Sequence, residues 1–112
     1  MDIRQIADDY AVSPQITADE VAKVKAAGFR SIICNRPDGE EAGQPEAQAI
    51  ARAAEAEGLS FRHVPVVSGA MTMEDVTDMA AALKELPGPV FAYCRSGARS
   101  ANLYGIIRER GL

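Results

Sequence analysis

Tryptophan is absent from these 112 residues, histidine occurs once and cysteine twice. One histidine and two cysteines cannot fill the four positions of a nitrogen and sulfur zinc site, and Cys34 with Cys94 would make one disulfide at most. Neither metal chemistry nor a disulfide framework is expected. No apolar run approaches the roughly 20 residues that cross a bilayer, and the opening MDIRQIADDY has neither an apolar stretch nor a small-residue cleavage pattern. The expectation is a cytoplasmic protein without membrane contact. Basic residues are also in deficit, twelve Lys and Arg against sixteen Asp and Glu, for a formal net charge of -4. Without a basic cluster to follow a phosphate backbone, nucleic-acid binding is not expected, and any anion site must be local.

What is present is an ordinary globular composition, 47% hydrophobic and 25% charged, in a length that suits one domain over residues 1–112. Four apolar runs read as strands: DYAVS (9–13), RSIICN (30–35), FRHVPVV (61–67) and PVFAYC (89–94). Several are apolar at consecutive positions, as in strands of a parallel sheet buried on both faces. The region near Ile3 to Ile6 adds a candidate antiparallel edge strand.

Helical segments alternate with these runs. TADEVAKVKAAG opens on a Thr17/Glu20 capping box and closes at Gly28. PEAQAIARAAEAEG opens at Pro45, aligns Ala47, Ile50 and Ala54, and closes at Gly58. TMEDVTDMAAALKEL starts at a Thr72 cap and carries Val76, Met79, Ala80 and Leu83 on one face. A last helix is expected from about Ala98 to Arg108, ending near Gly111. The alternation predicts an α/β fold: a mostly parallel sheet of four to five strands flanked by helices, with ligands beyond the carboxyl ends of the strands.

The stretch YCRSGARS, Tyr93 to Ser100, lies at such an end. Cys94 closes the fourth apolar run and Gly97 permits a sharp turn into the last helix. Successive backbone N–H groups in that turn, at the positive end of a helix, form an anion concavity. Arg99 can clamp the anion with two parallel hydrogen bonds, Arg95 can assist, and Ser96, Gly97 and Ala98 contribute the loop backbone. The same surroundings favour the thiolate of Cys94, and the Ser100 hydroxyl is placed to hydrogen-bond the sulfur. Asn35 and Arg36 follow another strand end and are candidates for the pocket mouth. Cys34 is more simply a buried structural thiol than a resolving one. His63 lies early in its strand, away from Cys94, and reads as structural. Met71, Met73 and Met79 read as packing.

HVPVVSGAMTMEDV, PGPVFAYCRSGARSANLYGII and SIICNRPDGEEAGQP together resemble the phosphatase-like domain family of beta-lactamase-hydrolase-like proteins. That resemblance covers nearly the whole chain and implies a fold like that of dual-specificity and tyrosine phosphatases. Some members of that family are joined to a persulfide dioxygenase domain, which implies sulfur metabolism and a possible partner of that type. The chain departs from the phosphatase pattern in three places. Four residues rather than five separate Cys94 from Arg99, Tyr93 stands where a histidine is usual, and after HVPVV the next aspartate is Asp75, inside a predicted helix.

The six-residue loop CRSGAR is similar to the active loop of rhodanese-type sulfurtransferases. The expectation is therefore a cysteine-dependent sulfurtransferase that takes sulfane sulfur from thiosulfate or a persulfide as a Cys94 persulfide, with no cofactor. The alternative is a phosphatase acting through a Cys94 phosphocysteine, with Arg99 on the phosphoryl oxygens. A second alternative is a non-catalytic anion-binding or sensing module.

Overall fold

The computed structural model describes residues 1–112. The chain forms strands β1 (Arg4–Ala7), β2 (Tyr10–Ser13), β3 (Ser31–Cys34), β4 (Ser60–His63) and β5 (Val90–Tyr93). The helices are α1 (Val21–Ala26), α2 (Ala47–Ala56), α3 (Met73–Glu85) and α4 (Ala98–Arg110). The strands lie in the order β1-β2-β5-β3-β4, with β1 antiparallel to β2 and every other pairing parallel. This is the expected α/β architecture, with the expected antiparallel edge strand at the N-terminus.

Strand alternation explains the consecutive apolar runs. Tyr10, Val12, Ile33, Val90 and Ala92 face one layer, where they meet Val76, Met79, Leu103 and Ile107 of α3 and α4. Ala11, Ile32, Cys34, Phe91 and Tyr93 face the other, against Val21, Val24, Ile50 and Ala54 of α1 and α2. Both faces of the sheet are thus removed from water, and each apolar residue of β2, β3 and β5 has a core to enter.

Local signals account for the element ends. Thr72 Oγ1 accepts from the Asp75 amide at 3.1 Å while Asp75 Oδ2 accepts from the Thr72 amide at 3.0 Å, the reciprocal box that starts α3. The first helix is shorter than expected, a 3-10 turn over Ala18–Glu20 followed by α1. The third run is also shorter, because Pro65 has no N–H to continue the ladder. Val64 and Val66 nevertheless stay beside β3, donating to the carbonyls of Cys34 and Asn35. Helix α4 runs two residues beyond the expected Arg108 and ends at Gly111, which adopts φ +70°.

Tyr10 links the sheet to the start of α4. Its ring stacks on Tyr104 with centroids 4.3 Å apart, and its hydroxyl donates to the Ser100 carbonyl at 2.8 Å. Tyr10→Phe keeps the stack and removes one buried hydrogen bond. It is expected to lower unfolding stability by about 1 kcal/mol, measured by urea denaturation.

Candidate active site

Four parallel strands deliver their carboxyl ends to one rim. Ser13 ends β2 and Gln15 lies just beyond it, Asn35 and Arg36 follow β3, Val64 to Ser68 follow β4, and Cys94 follows β5. The turn after Cys94 is narrow: Gly97 has φ +94°, and a Cβ there would sit 3.4 Å from the Ser13 carbonyl carbon and oxygen and 2.8 Å from the Arg4 guanidinium. Glycine meets both the dihedral and the close approach.

That turn aims the main chain at the sulfur. The Gly97 amide donates to Cys94 Sγ at 3.1 Å. Cys94 is 1% exposed. Burial pushes its thiol up, but the backbone N–H groups of Ser100, Arg99, Gly97 and Ser96 outweigh burial and hold it below the ordinary thiol value. The thiolate therefore owes its stability first to main-chain donors at the start of α4. Ala98 takes no part in this, since its amide donates to Ser96 Oγ at 3.3 Å.

Arg99 has five N–H groups, and three are committed. Nη1 donates to Glu40 Oε2 at 2.7 Å and to the Val66 carbonyl at 2.9 Å, and Nη2 donates to Glu40 Oε1 at 2.9 Å. The Nε–H and the second Nη2–H have no oxygen partner and lie side by side as a fork that can take a planar or tetrahedral anion, close to the Cys94 sulfur with which the guanidinium also interacts. Arg99 is held above its ordinary value by Glu40 first, with burial opposing and the Cys94 sulfur adding to it, so the guanidinium lies within electrostatic reach of that sulfur.

Glu40 is the site residue that sequence reasoning missed. Its Oε1 also accepts from Arg36 Nε at 2.8 Å, so one carboxylate joins two arginines. Held first by Arg99, with burial opposing and Arg36 assisting, its pKa falls to about 2. Nothing in RPDGEEAGQP marked it, because the pairing depends on how an irregular loop folds back.

Asn35 and Arg36 are 0% and 2% exposed; Asn35 differs from the expected pocket mouth, whereas Arg36 lines a depression with Gln15, Glu41 and Arg95. Asn35 Nδ2 donates to the Val64 carbonyl at 3.0 Å, and Asn35 Oδ1 accepts from Ser100 Oγ at 2.8 Å. The Ser100 hydroxyl is thus directed at Asn35 and not at sulfur; its amide, rather than its side chain, serves Cys94. Arg36 donates to Glu40, Glu41 and Gln15 Oε1, drawing two partly exposed carboxylates onto a buried guanidinium. Its carbonyl accepts from Cys34 Sγ at 3.3 Å and lies 2.8 Å from His63 Nε2. Cys34 faces the α1/α2 layer, with its thiol pushed up by burial, as a structural residue would be. Arg95 is 70% exposed, with Nε 4.0 Å from Glu41 Oε1. A depression of about 330 Å³ lined by Glu40, Val67, Ser68, Arg95 and Arg99 opens at this place.

The family model for the beta-lactamase hydrolase-like protein, phosphatase-like domain, matches residues 2–110. A beta-lactamase hydrolase-like protein of Xylella fastidiosa (strain Temecula1) is 38% identical over 106 residues, 95% of this chain and 25% of that protein. One of Agrobacterium fabrum is 36% identical over 100 residues, 89% of this chain and 23% of that protein. The chain spans about a quarter of the length of these curated relatives. A solved structure of a candidate phosphatase from Neisseria meningitidis is 35% identical, covering 96% of this chain and 77% of that one at a TM-score of 0.88. The core catalytic domain of a PP-IP phosphatase from S. cerevisiae, at 14% identity, covers 96% of this chain and 64% of that one with a TM-score of 0.75, a likeness of fold. These neighbours favour the phosphatase alternative over the expected sulfurtransferase.

Two outcomes follow from the electrostatics. Alkylation by iodoacetamide, followed across pH and mapped by peptide mass, is expected to label Cys94 with a midpoint below 9.0 and to spare Cys34. Because Glu40 is depressed from 4.5 to about 2, it stabilises the fold above the higher value, and that contribution is lost as pH falls between the two. Glu40→Gln is expected to remove this part of the acid limb and, discounted for solvent screening of a partly exposed pair, to lower stability at neutral pH by about 1 kcal/mol, read from denaturation curves at a series of pH values.

Proposed function

The chain belongs to the phosphatase-like domain family of beta-lactamase hydrolase-like proteins, and from that membership we propose that it is a cysteine-dependent phosphatase of the tyrosine-phosphatase type. The observation that carries this reading is a buried Cys94 that accepts from the Gly97 amide at 3.1 Å and is held low by the backbone of its turn, beside an arginine whose Nε side has no oxygen partner. The Cys94 thiolate attacks phosphorus and forms a phosphocysteine, which water then hydrolyses. Arg99 binds two non-bridging oxygens through Nε–H and Nη2–H, and the loop amides supply further donors to the charge that develops in the transition state. Glu40 and the Val66 carbonyl hold Arg99 in place and are positioning groups. Arg95, exposed at the rim, adds positive potential for a small anionic substrate.

Sulfur transfer is the second reading, supported by one observation: Cys94 and Arg99 are separated by four residues, and the amides of this short ring point at the sulfur itself. A persulfide dioxygenase-type protein would then be a partner of suitable chemistry.

Intact-protein mass spectrometry separates the readings. Phosphoryl donors are expected to add about 80 Da at Cys94, whereas an addition of about 32 Da from thiosulfate or a persulfide, with no phosphoryl adduct, would establish sulfur transfer instead. Cys94→Ser is expected to lower aryl phosphate turnover by at least about 10³-fold and Arg99→Lys by about 10²-fold. Binding of anions without either adduct would reduce the domain to a sensing module.

A further inference from the structure

The depression beside Arg99, lined also by Val67, Ser68 and Arg95, contains one carboxyl group, Glu40. Both its oxygens are occupied by arginine N–H groups, three bonds in all. The adjoining depression, about 290 Å³, shares Arg95 and contains Glu41, which Arg36 and then Arg95 hold below the usual carboxylate range. The other acids of these loops are committed elsewhere. Asp38 Oδ1 accepts from the Ala47 amide at 2.8 Å at the start of α2, and Asp75 closes the box at the start of α3. His63 Nε2 is engaged with the Arg36 carbonyl, and its ring lines a separate depression with Arg62, Asp75 and Asp78. What faces the site is Arg95, Arg99, the Ser68 hydroxyl and an ionised Glu40. None of these gives up a proton readily near neutral pH.

We infer that the site is selective for phosphoryl groups whose leaving group departs as a stable anion, namely acyl phosphates, phosphoanhydrides and acidic aryl phosphates, over alkyl phosphomonoesters. The inference rests on the phosphatase reading. In the first step the sulfur–phosphorus bond forms as the bond from phosphorus to the leaving oxygen breaks. The electron pair goes to that oxygen, so a thiolate and a phosphate dianion become a phosphocysteine dianion and a free oxyanion. In the second step water attacks phosphorus, the thiolate is restored, and both protons of the water leave on dihydrogen phosphate. Neither step draws a proton from a side chain. The segment after HVPVV, where an acid would stand in a general monoester phosphatase, presents Val67 and Ser68 instead, and Arg95 and Arg99 in the same depression stabilise the departing anion.

A general acid contributes typically 10²–10⁴-fold to a rate, and its absence falls on substrates with basic leaving groups. The test uses the full chain with an aryl phosphate series of graded phenol acidity, acetyl phosphate, inorganic pyrophosphate and an alkyl phosphate. The readouts are phosphocysteine formation in a single turnover and kcat/KM. The expected result is a continuous fall in rate as the leaving group becomes more basic, with the alkyl phosphate about 10²–10⁴-fold below acetyl phosphate. Rates within about tenfold of each other across the series would overturn the inference and leave the phosphatase reading standing. If no substrate, activated ones included, phosphorylates Cys94, both fall together.

Discussion

The geometry of the site depends on one shared carboxylate. Glu40 accepts from Arg36 on one side and from Arg99 on the other, and it is the shared group that keeps two arginines at close quarters. Without a negative charge between them, two guanidinium groups drawn from different strand ends would repel in a partly buried space. With it, Arg36 becomes a fixed internal post and Arg99 is presented edge-on. The pairing also decides which edge of Arg99 is used. The end formed by Nη1 and Nη2 is filled, so recognition is left to the Nε side.

The nucleophile is prepared by a different means. A sulfur with 1% exposure would ordinarily stay protonated, since burial disfavours the charged form. Four main-chain amides reverse that preference. They are available because α4 begins immediately after the turn, where helix geometry leaves its first N–H groups without carbonyl partners. The left-handed backbone at Gly97 is what folds those donors back over the sulfur. Cys34, on the neighbouring strand, is pushed in the opposite direction, because burial outweighs the Tyr93 hydroxyl and the Arg36 backbone that oppose it.

Contiguous features were the most readable in the sequence. Cys94, Gly97 and Arg99 lie within six positions, and consecutive apolar residues in β2, β3 and β5 announced burial on both faces. Spatial neighbours from distant segments were not readable. The order β1-β2-β5-β3-β4 places the last strand in the middle of the sheet, and the periodicity of a strand carries no record of its neighbour. Glu40 escaped because it is 59 positions from Arg99 and sits in a polar loop where a glutamate is unremarkable. Asn35 and Arg36 were placed near the right rim but at the wrong depth. Polar residues just beyond a strand usually face water, but here Asn35 is held by the Val64 carbonyl and Ser100, and Arg36 gives three of its N–H groups to Glu40, Gln15 and Glu41. The extent of β4 was misjudged for a local reason, Pro65. The sulfurtransferase expectation followed from loop length, a local property, whereas the phosphatase likeness belongs to the whole fold.

The Val66 carbonyl that fixes Arg99, together with the amides around Cys94, gives the site an evolutionary property. These five contacts are made by main-chain atoms, which every residue except proline offers in the same form. The neighbouring side chains of Val67 and Ser68, which make none of these contacts, can correspondingly change without disturbing the reacting centre. Replacing these rim side chains alters the surface a substrate meets while the main-chain contacts beneath are left in place.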